Sequence, residues 1–308
     1  MSRRQVLTRA AQAGGSLVLA AAGCRRVDAP PGDSWAGGAG GAVARLRSSI
    51  TGEVITPDDP RYEDARRVSH FNFNPTTDRF PSLIVFCASA EDVMRALEFA
   101  RTHALEIAVR SGGNDVLGES VSQGGLVIDL SRLNAITIDP TRRVAMCGSG
   151  ARAQDVNVAT QAHGLAVPLG CHPAIGVGGL TLGGGLGWLL GKYGATCDNL
   201  LAAEIVTADG QMLSVDTNDN PELFWAVRGG GGNFGIATNF VYRAHPVGRV
   251  LGGYLAYDGE RSSEFLRFYP RRHGPGPRRA RGRAQVVLDC RPPDGDRVGV
   301  LLRRLRAG

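Results

Sequence analysis

Three glycine-dense segments hold the residue types best suited to chemistry in this chain. The first is Arg110-Ser111-Gly112-Gly113-Asn114-Asp115, continuing to Gly118. Residues without a Cβ let a phosphate approach the backbone and leave several amides free to donate, so the chemistry this loop suits is pyrophosphate binding. A plain tight turn is the competing reading of the loop by itself. The second runs from Gly176 to Gly187, with seven glycines in twelve residues interleaved with Val177, Leu180, Leu182 and Leu186. A flexible linker would not keep apolar side chains in register, so a planar ligand lying against bare backbone is the better account, with close element packing as the alternative. The third, Gly230 to Gly235, satisfies G-x-G-x-x-G. That motif binds dinucleotides where it follows a strand and opens a helix. Here Pro221 to Val227 before it reads as helix and Ile236 to Tyr242 after it as strand, so a Rossmann site is rejected.

Hydrolase and metal chemistry find little support. No G-x-S-x-G elbow and no H-E-x-x-H occurs, and the six histidines at 70, 103, 163, 172, 245 and 273 are scattered. His172, beside the long glycine segment, is the exception worth following. The six cysteines form no C-x-x-C pair, so neither a zinc ribbon nor a dense disulfide framework is implied.

The elements that must position these segments alternate between helix and strand. Gly52 to Ile55 reads as a short strand, and Asp59-Pro60 as the start of a helix reaching about Ser69. Leu83 to Cys87 is an apolar run of strand length. Ser89-Ala90-Glu91-Asp92 then opens a helix with Val93, Leu97 and Ala100 on one face, and Ile107 to Val109 returns as a strand into the first glycine loop. Val127 to Leu130 and Val144 to Cys147 read as strands, and Gln154 to His163 as a helix. Ala208-Asp209-Gly210-Gln211 between two apolar runs is a hairpin signal.

With 308 residues, 43% hydrophobic and 21% charged, the chain is of ordinary globular composition and long enough for two domains. Its net charge of +6 is unevenly placed: residues 249–308 carry 14 Arg against 6 acidic residues, while residues 1–248 are close to neutral. No aromatic interleaving accompanies this arginine excess, so no nucleic-acid partner is expected. At the N-terminus, Arg3-Arg4 precede an apolar, small-residue stretch from Ala10 to Gly23 that is too short to span a bilayer. This reads as a twin-arginine signal over residues 1–23, implying export of a folded protein. Ala21-Ala22-Gly23-Cys24 also resembles a lipobox, so a lipid anchor at Cys24 stands beside soluble export. Residues 24–42 read as a Gly/Ala/Pro-rich linker, with the ordered body starting at Val43.

The three glycine segments, together with Lys192-Tyr193-Gly194 through Asn199-Leu200 and Leu223-Phe224-Trp225-Ala226-Val227-Arg228-Gly229, resemble the FAD-linked oxidases of the berberine bridge enzyme type, within the vanillyl-alcohol-oxidase superfamily. The resemblance covers residues 43–248. It implies an α+β fold: a two-subdomain PCMH-type FAD-binding domain, followed by an incomplete substrate domain over residues 249–308. By carry-over, Arg110, Ser111, Gly112, Gly113, Asn114, Asp115 and Gly118 would wrap the pyrophosphate. Gly176, Gly178, Gly179, Gly183, Gly184 and Gly187 would run along the ribityl chain and ring, with Asn199 and the Val206 backbone as further contacts. Tyr193 would face the flavin.

Two departures from the family matter. Asn114 stands where the family has a histidine covalently linked to the flavin, and His172, preceded by Cys171, stands where some members have a linking cysteine. FAD is therefore expected to be bound noncovalently unless His172 or Cys171 substitutes. From Arg271 onward the chain holds 11 Arg and little periodicity, where the family's substrate domain would supply a catalytic base. A truncated or frameshifted product is the expectation. The implied function is a FAD-dependent oxidoreductase acting on a small-molecule sugar, alcohol or secondary metabolite, with dioxygen as acceptor. The alternative is a noncatalytic, degenerate flavin-binding protein.

Overall fold

A computed structural model describes residues 39–68, 79–115 and 117–248, together with residues 250, 267, 287–289 and 299–301. The twin-arginine signal, the lipobox and nearly all of the arginine-rich tail lie outside the described residues.

The first layer grows from alternation of apolar runs and an amphipathic helix. Strands β1 (Glu53–Ile55), β2 (Leu83–Phe86), β3 (Ile107–Arg110) and β4 (Leu126–Asp129) form a sheet in the order β1-β2-β4-β3. β2, β4 and β3 are mutually parallel, and β1 pairs antiparallel with β2. The two central strands are buried nearly throughout, as expected of parallel strands covered on both faces. Helix α3 (Ala90–Thr102) connects β2 to β3, with Val93, Ala96, Leu97 and Ala100 buried at helical spacing. Ser89 caps it, its Oγ accepting from Asp92 N at 3.1 Å.

Helix α1 (Ala39–Ser49) begins inside the segment expected to be linker, four residues before Val43. Burial decides this. Ala42, Val43 and Leu46 are 4–6% exposed, and the helix packs against α3 and β1, so packing overrides the poor helix propensity of Gly40 and Gly41. Helix α2 is also shorter than expected, Tyr62–Arg66 rather than from Pro60 to Ser69. Asp59 does not cap it; its carboxylate takes the Arg61 amide and guanidinium, and residues 57–61 are spent on a turn.

The second layer is antiparallel. β5 (Ile136–Asp139), β6 (Val144–Gly148), β8 (Leu200–Val206), β9 (Met212–Val215) and β10 (Ile236–Arg243) form a five-stranded sheet in the order β5-β6-β10-β8-β9. The expected hairpin is present, with Val206 opposite Met212 and Gly210 at φ +87°. Helix α4 (Ala153–Gln161) covers β5 and β6, and α7 (Pro221–Ala226) lies against β9. Phe240 and Tyr242 of β10 are fully buried in this core. Short strands β7 (Leu165–Ala166) and β11 (His245–Pro246) pair beside it, and β12 (Val287–Asp289) with β13 (Gly299–Leu301) form a separate antiparallel pair.

Helix α5 (Val177–Leu182) is the part of the long glycine segment that the second core holds most firmly. Val177 is fully buried, and Thr181 Oγ lies 2.6 Å from the hydroxyl of Tyr242. The residues leading into it are zipped to the chain after β6: Ala153 N donates to Ile175 O, Val177 N to Ala151 O and Gly178 N to Ser149 O, at 2.9–3.0 Å. Helix α6 (Leu190–Tyr193) follows.

Candidate functional site

The turn after β3 belongs to the first sheet, and the Gly176 segment to the second. They meet backbone to backbone: a Cβ on Gly112 would lie 2.4 Å from Gly176 N, and one on Gly176 would lie 2.3 Å from Gly112 N. No side chain fits at either position, so these two glycines are required by the junction of the layers itself. Ser111 reinforces it, its Oγ donating to Ser149 O at 2.6 Å.

Above that junction opens a cleft of about 370 Å³. Its walls come from Val109, Ser111 to Asp115, Glu119 and Ser120 on one side, Gly176, Gly178, Gly179 and Gly183 with Leu180 and Leu182 on another, and Gly231, Gly232 and Gly235 to Ala237 on the third. Gly179 and Gly232 are decisive. Each lies on the cleft wall, neither has a positive φ, and a Cβ on either would touch nothing within 4 Å. Neither packing nor backbone geometry demands glycine there, and inside α5 glycine costs about 1 kcal/mol relative to alanine. A wall kept bare at that cost fits a ligand that lies flat on the backbone. The amides of Gly113 and Asp115 donate to no acceptor among the described residues, and Gly113 has φ +64°. Amides left without an acceptor on residues that line a cleft suit an anion.

Of the residues singled out from sequence, Ser111, Gly112, Gly113, Asn114, Asp115, Gly176, Gly178, Gly179 and Gly183 line this cleft. The others stand elsewhere. The guanidinium of Arg110 turns into the protein: its Nε meets Asp129 Oδ2 at 2.6 Å across the β3–β4 pairing, and Nη2 donates to Ala65 O at 2.6 Å. Gly118 is a buried turn residue at φ +70°. Gly184 has φ +98°, and Gly187 is pressed against Leu169 O, 1.7 Å from where its Cβ would be. Val206 is fully buried at the end of β8.

Asn199 and Tyr193 form a separate cluster. Asn199 Nδ2 donates to Tyr193 O and Ala195 O, and its Oδ1 lies 2.6 Å from His245 Nε2. Tyr193 stacks on His245, centroids 4.0 Å apart, and its hydroxyl donates to Pro246 O. Burial, followed by the cations of Arg243 and Lys192, lowers the His245 pKa. Neither Tyr193 nor Asn199 lines the cleft.

Asn114 and His172 both hydrogen-bond to the backbone of Ala174. Asn114 Nδ2 donates to Ala174 O at 2.8 Å and to Gly112 O at 3.2 Å, while Ala174 N donates to His172 Nδ1 at 3.3 Å. The asparagine amide thus ties the first glycine turn to the segment preceding Gly176, at the edge of the cleft.

Sequence reasoning missed Ser120, Glu119 and the Gly231–Gly232 wall. The third glycine segment was rejected as a Rossmann turn, and the structure agrees: Gly231–Phe234 is a short 3-10 turn leading into β10 rather than a helix after a strand. Its consecutive glycines are nonetheless the available signal: Gly229 and Gly231 have φ +119° and +77°, a Cβ on Gly230 would lie 2.4 Å from Ala226 O, and only Gly232 has neither reason to be glycine.

Residues 81–216 match the family model described as FAD binding domain. The chain is 40% identical over 210 residues to (R)-6-hydroxynicotine oxidase of Paenarthrobacter nicotinovorans, covering 68% of this chain and 45% of that protein. It is 34% identical over 253 residues to FAD-linked oxidoreductase pgmH of Aspergillus terreus, covering 82% of this chain and 51% of the relative. The crystal structure of 6-hydroxy-D-nicotine oxidase from Arthrobacter nicotinovorans superposes with a TM-score of 0.67 at 38% identity, covering 71% of this chain and 48% of that one. The Physcomitrella patens BBE-like 1 structure gives 0.63 at 27% identity, covering 68% and 45%. The chain spans about half the length of the curated relatives it matches.

Proposed function

We propose that this chain, which belongs to the FAD-linked oxidoreductases of the berberine bridge enzyme type, binds FAD noncovalently in the glycine-walled cleft and serves the oxidation of a small organic molecule. The observation that carries the reading is the bare wall at Gly179 and Gly232, where glycine serves neither packing nor turn geometry. Bound FAD supplies a two-electron acceptor for the C–H bond of an alcohol, sugar or amine, with dioxygen as the proposed terminal oxidant. The chain's own part is to hold and orient. The Gly113 and Asp115 amides remain available to donate to an anion, the glycine walls admit a flat ligand, and Asn114 fixes the turn to the Ala174 carbonyl. The catalytic base is proposed to come from the substrate-binding half that the relatives carry beyond this length. Asn114 supports the noncovalent assignment, because a carboxamide is already committed to two carbonyls and is a poor nucleophile toward a flavin methyl. Acid precipitation of the flavin-loaded protein should leave the yellow colour in the supernatant; a coloured pellet would mean that His172 or Cys171 forms the bond.

The cleft assignment has a test in which stability and binding move in opposite directions. Gly179→Leu should raise the melting temperature of the flavin-free protein slightly, because leucine is worth up to about 1 kcal/mol more than glycine inside a helix. The same substitution should abolish FAD uptake. Uptake unchanged by Gly179→Leu and by Gly232→Leu would place the ligand elsewhere.

A further inference from the structure

The strand through which the chain leaves the second layer is short. β11 pairs with β7 over two residues, His245 opposite Ala166 and Pro246 opposite Leu165, and beyond it Val247 N donates to Gly164 O at 3.1 Å. Side chains supply the rest of its anchorage. The His245 ring stacks on Tyr193 with centroids 4.0 Å apart and planes 15° apart, its Nε2 lies 2.6 Å from Asn199 Oδ1, and the Tyr193 hydroxyl donates to Pro246 O at 3.2 Å. A pair this small, after the last strand of the five-stranded sheet, can open without unfolding the sheet itself.

The hydrogen bonds fix where the imidazole takes up a proton. Asn199 Nδ2 donates to Tyr193 O and Ala195 O, so the atom it presents to His245 is the acceptor Oδ1, and Nε2 must carry a hydrogen. A second proton therefore goes to Nδ1, which has no hydrogen-bond partner among the described residues. The surrounding charges oppose it. α6 brings Lys192, and β10 brings Arg243. Burial first, then these two cations, lower the His245 pKa. The turn Cys197–Asn199 brings Asp198, whose carboxylate accepts the Ala195 amide and forms no ion pair with His245. β7 offers only Leu165 and Ala166, preceded by the exposed His163. The face of Tyr193 attracts a cation, but Lys192 Nζ already lies over that ring, 5.0 Å from its centroid.

We propose that His245 is a proton-operated latch: with one proton it holds β11 against Tyr193 and β7, and with two it swings out to water and releases the exit strand. The closed latch binds the second proton less well than a free imidazole does. Closure is therefore fully present above the free-imidazole pKa of about 6.5 and is lost as pH falls below it. Opening deprives Tyr193, the last residue of α6, of both its ring partner and its acceptor, and loosens the strand from which residues 249–308 continue. The device does not depend on which ligand the cleft takes.

The full chain without substitution gives the first test. The Hε1 resonance of His245 should titrate below about pH 6.5, and its ring nitrogen shifts should place the single hydrogen on Nε2 above that pH. Hydrogen exchange of residues 244–248, corrected for intrinsic rate, should quicken several-fold between about pH 7.5 and about pH 5.5, while the strand around Phe240 stays protected. His245→Gln can still donate to Asn199 Oδ1 but cannot titrate, and His245→Phe keeps the stack; in both, exchange of this segment should be the same at the two pH values. Titration of His245 at or above about pH 6.5 would overturn the proposal. So would equal exchange at both pH values in the wild-type chain, or acid loosening that persists in both variants, which would assign it to another group such as His163.

Discussion

Arg110 and Asp129 show how a residue placed beside a binding loop can serve the fold instead. They sit opposite each other on β3 and β4, both 3–5% exposed, with Nε and Oδ2 2.6 Å apart. The remaining guanidinium nitrogens reach Ala65 O and Arg66 O, so this one side chain ties α2 to the end of β3, from which the glycine turn departs. Burying two charges is costly, and removing one partner leaves the other uncompensated. Asp129→Ala should lose about 3–5 kcal/mol in denaturant unfolding, and Arg110→Lys should recover little of the arginine's role, because an ammonium cannot match three separated acceptors in one plane. The motif at Arg110 was legible from sequence; the direction of its side chain was not, because it depends on an acid nineteen positions away on a neighbouring strand.

At the scale of elements, Asp92 joins three pieces of chain. Its carboxylate accepts from Thr51 N, Thr51 Oγ, Gly52 N and Ala88 N, linking the end of α1, the approach to β1 and the start of α3. Burial works to raise its pKa, but the amides of Ala88, Thr51 and Gly52 and the Thr51 hydroxyl outweigh it, and the net direction is downward. A carboxyl depressed on folding contributes stability that is present above its unfolded pKa of about 3.9 and is lost as pH falls through the lower folded value. Asp92→Asn should therefore cost about 1–3 kcal/mol at pH 7, and the gap from wild type should close only in acid, below about pH 4. A constant gap down to pH 2 would show that shape rather than charge is responsible. The same elements show what local signals can carry. The capping serine, the period of α3 and the Asp-Gly hairpin act within a few residues and were readable. The start of α1 was not, because Ala39 to Ala42 have linker composition and become helix only through packing on α3.

At the scale of the whole molecule, the cleft exists because a parallel sheet and an antiparallel sheet are joined at Gly112 and Gly176, sixty-four positions apart in sequence. A ligand that bridges the two layers binds only the folded state, so FAD at a hundred times its Kd should stabilise the chain by about 2.7 kcal/mol. For a body of this size that is a rise of roughly 5–10 °C in melting temperature. No rise with FAD, in a chain whose circular dichroism shows the mixed fold, would favour the noncatalytic alternative. The sequence by itself determined the α+β order of elements, the hairpin, the rejection of a Rossmann turn and the presence of bare backbone in quantity. These depend on propensity, periodicity and the absence of a Cβ, which are properties of residues and their near neighbours. Only the tertiary structure decided which glycines face open space and which are pressed against a second backbone. It also turned the Arg110 guanidinium into the protein and gathered Asn199, Tyr193 and His245 into a cluster outside the cleft lining. Those outcomes depend on which distant atoms fill the space around a side chain, and that is set by how the two sheets meet.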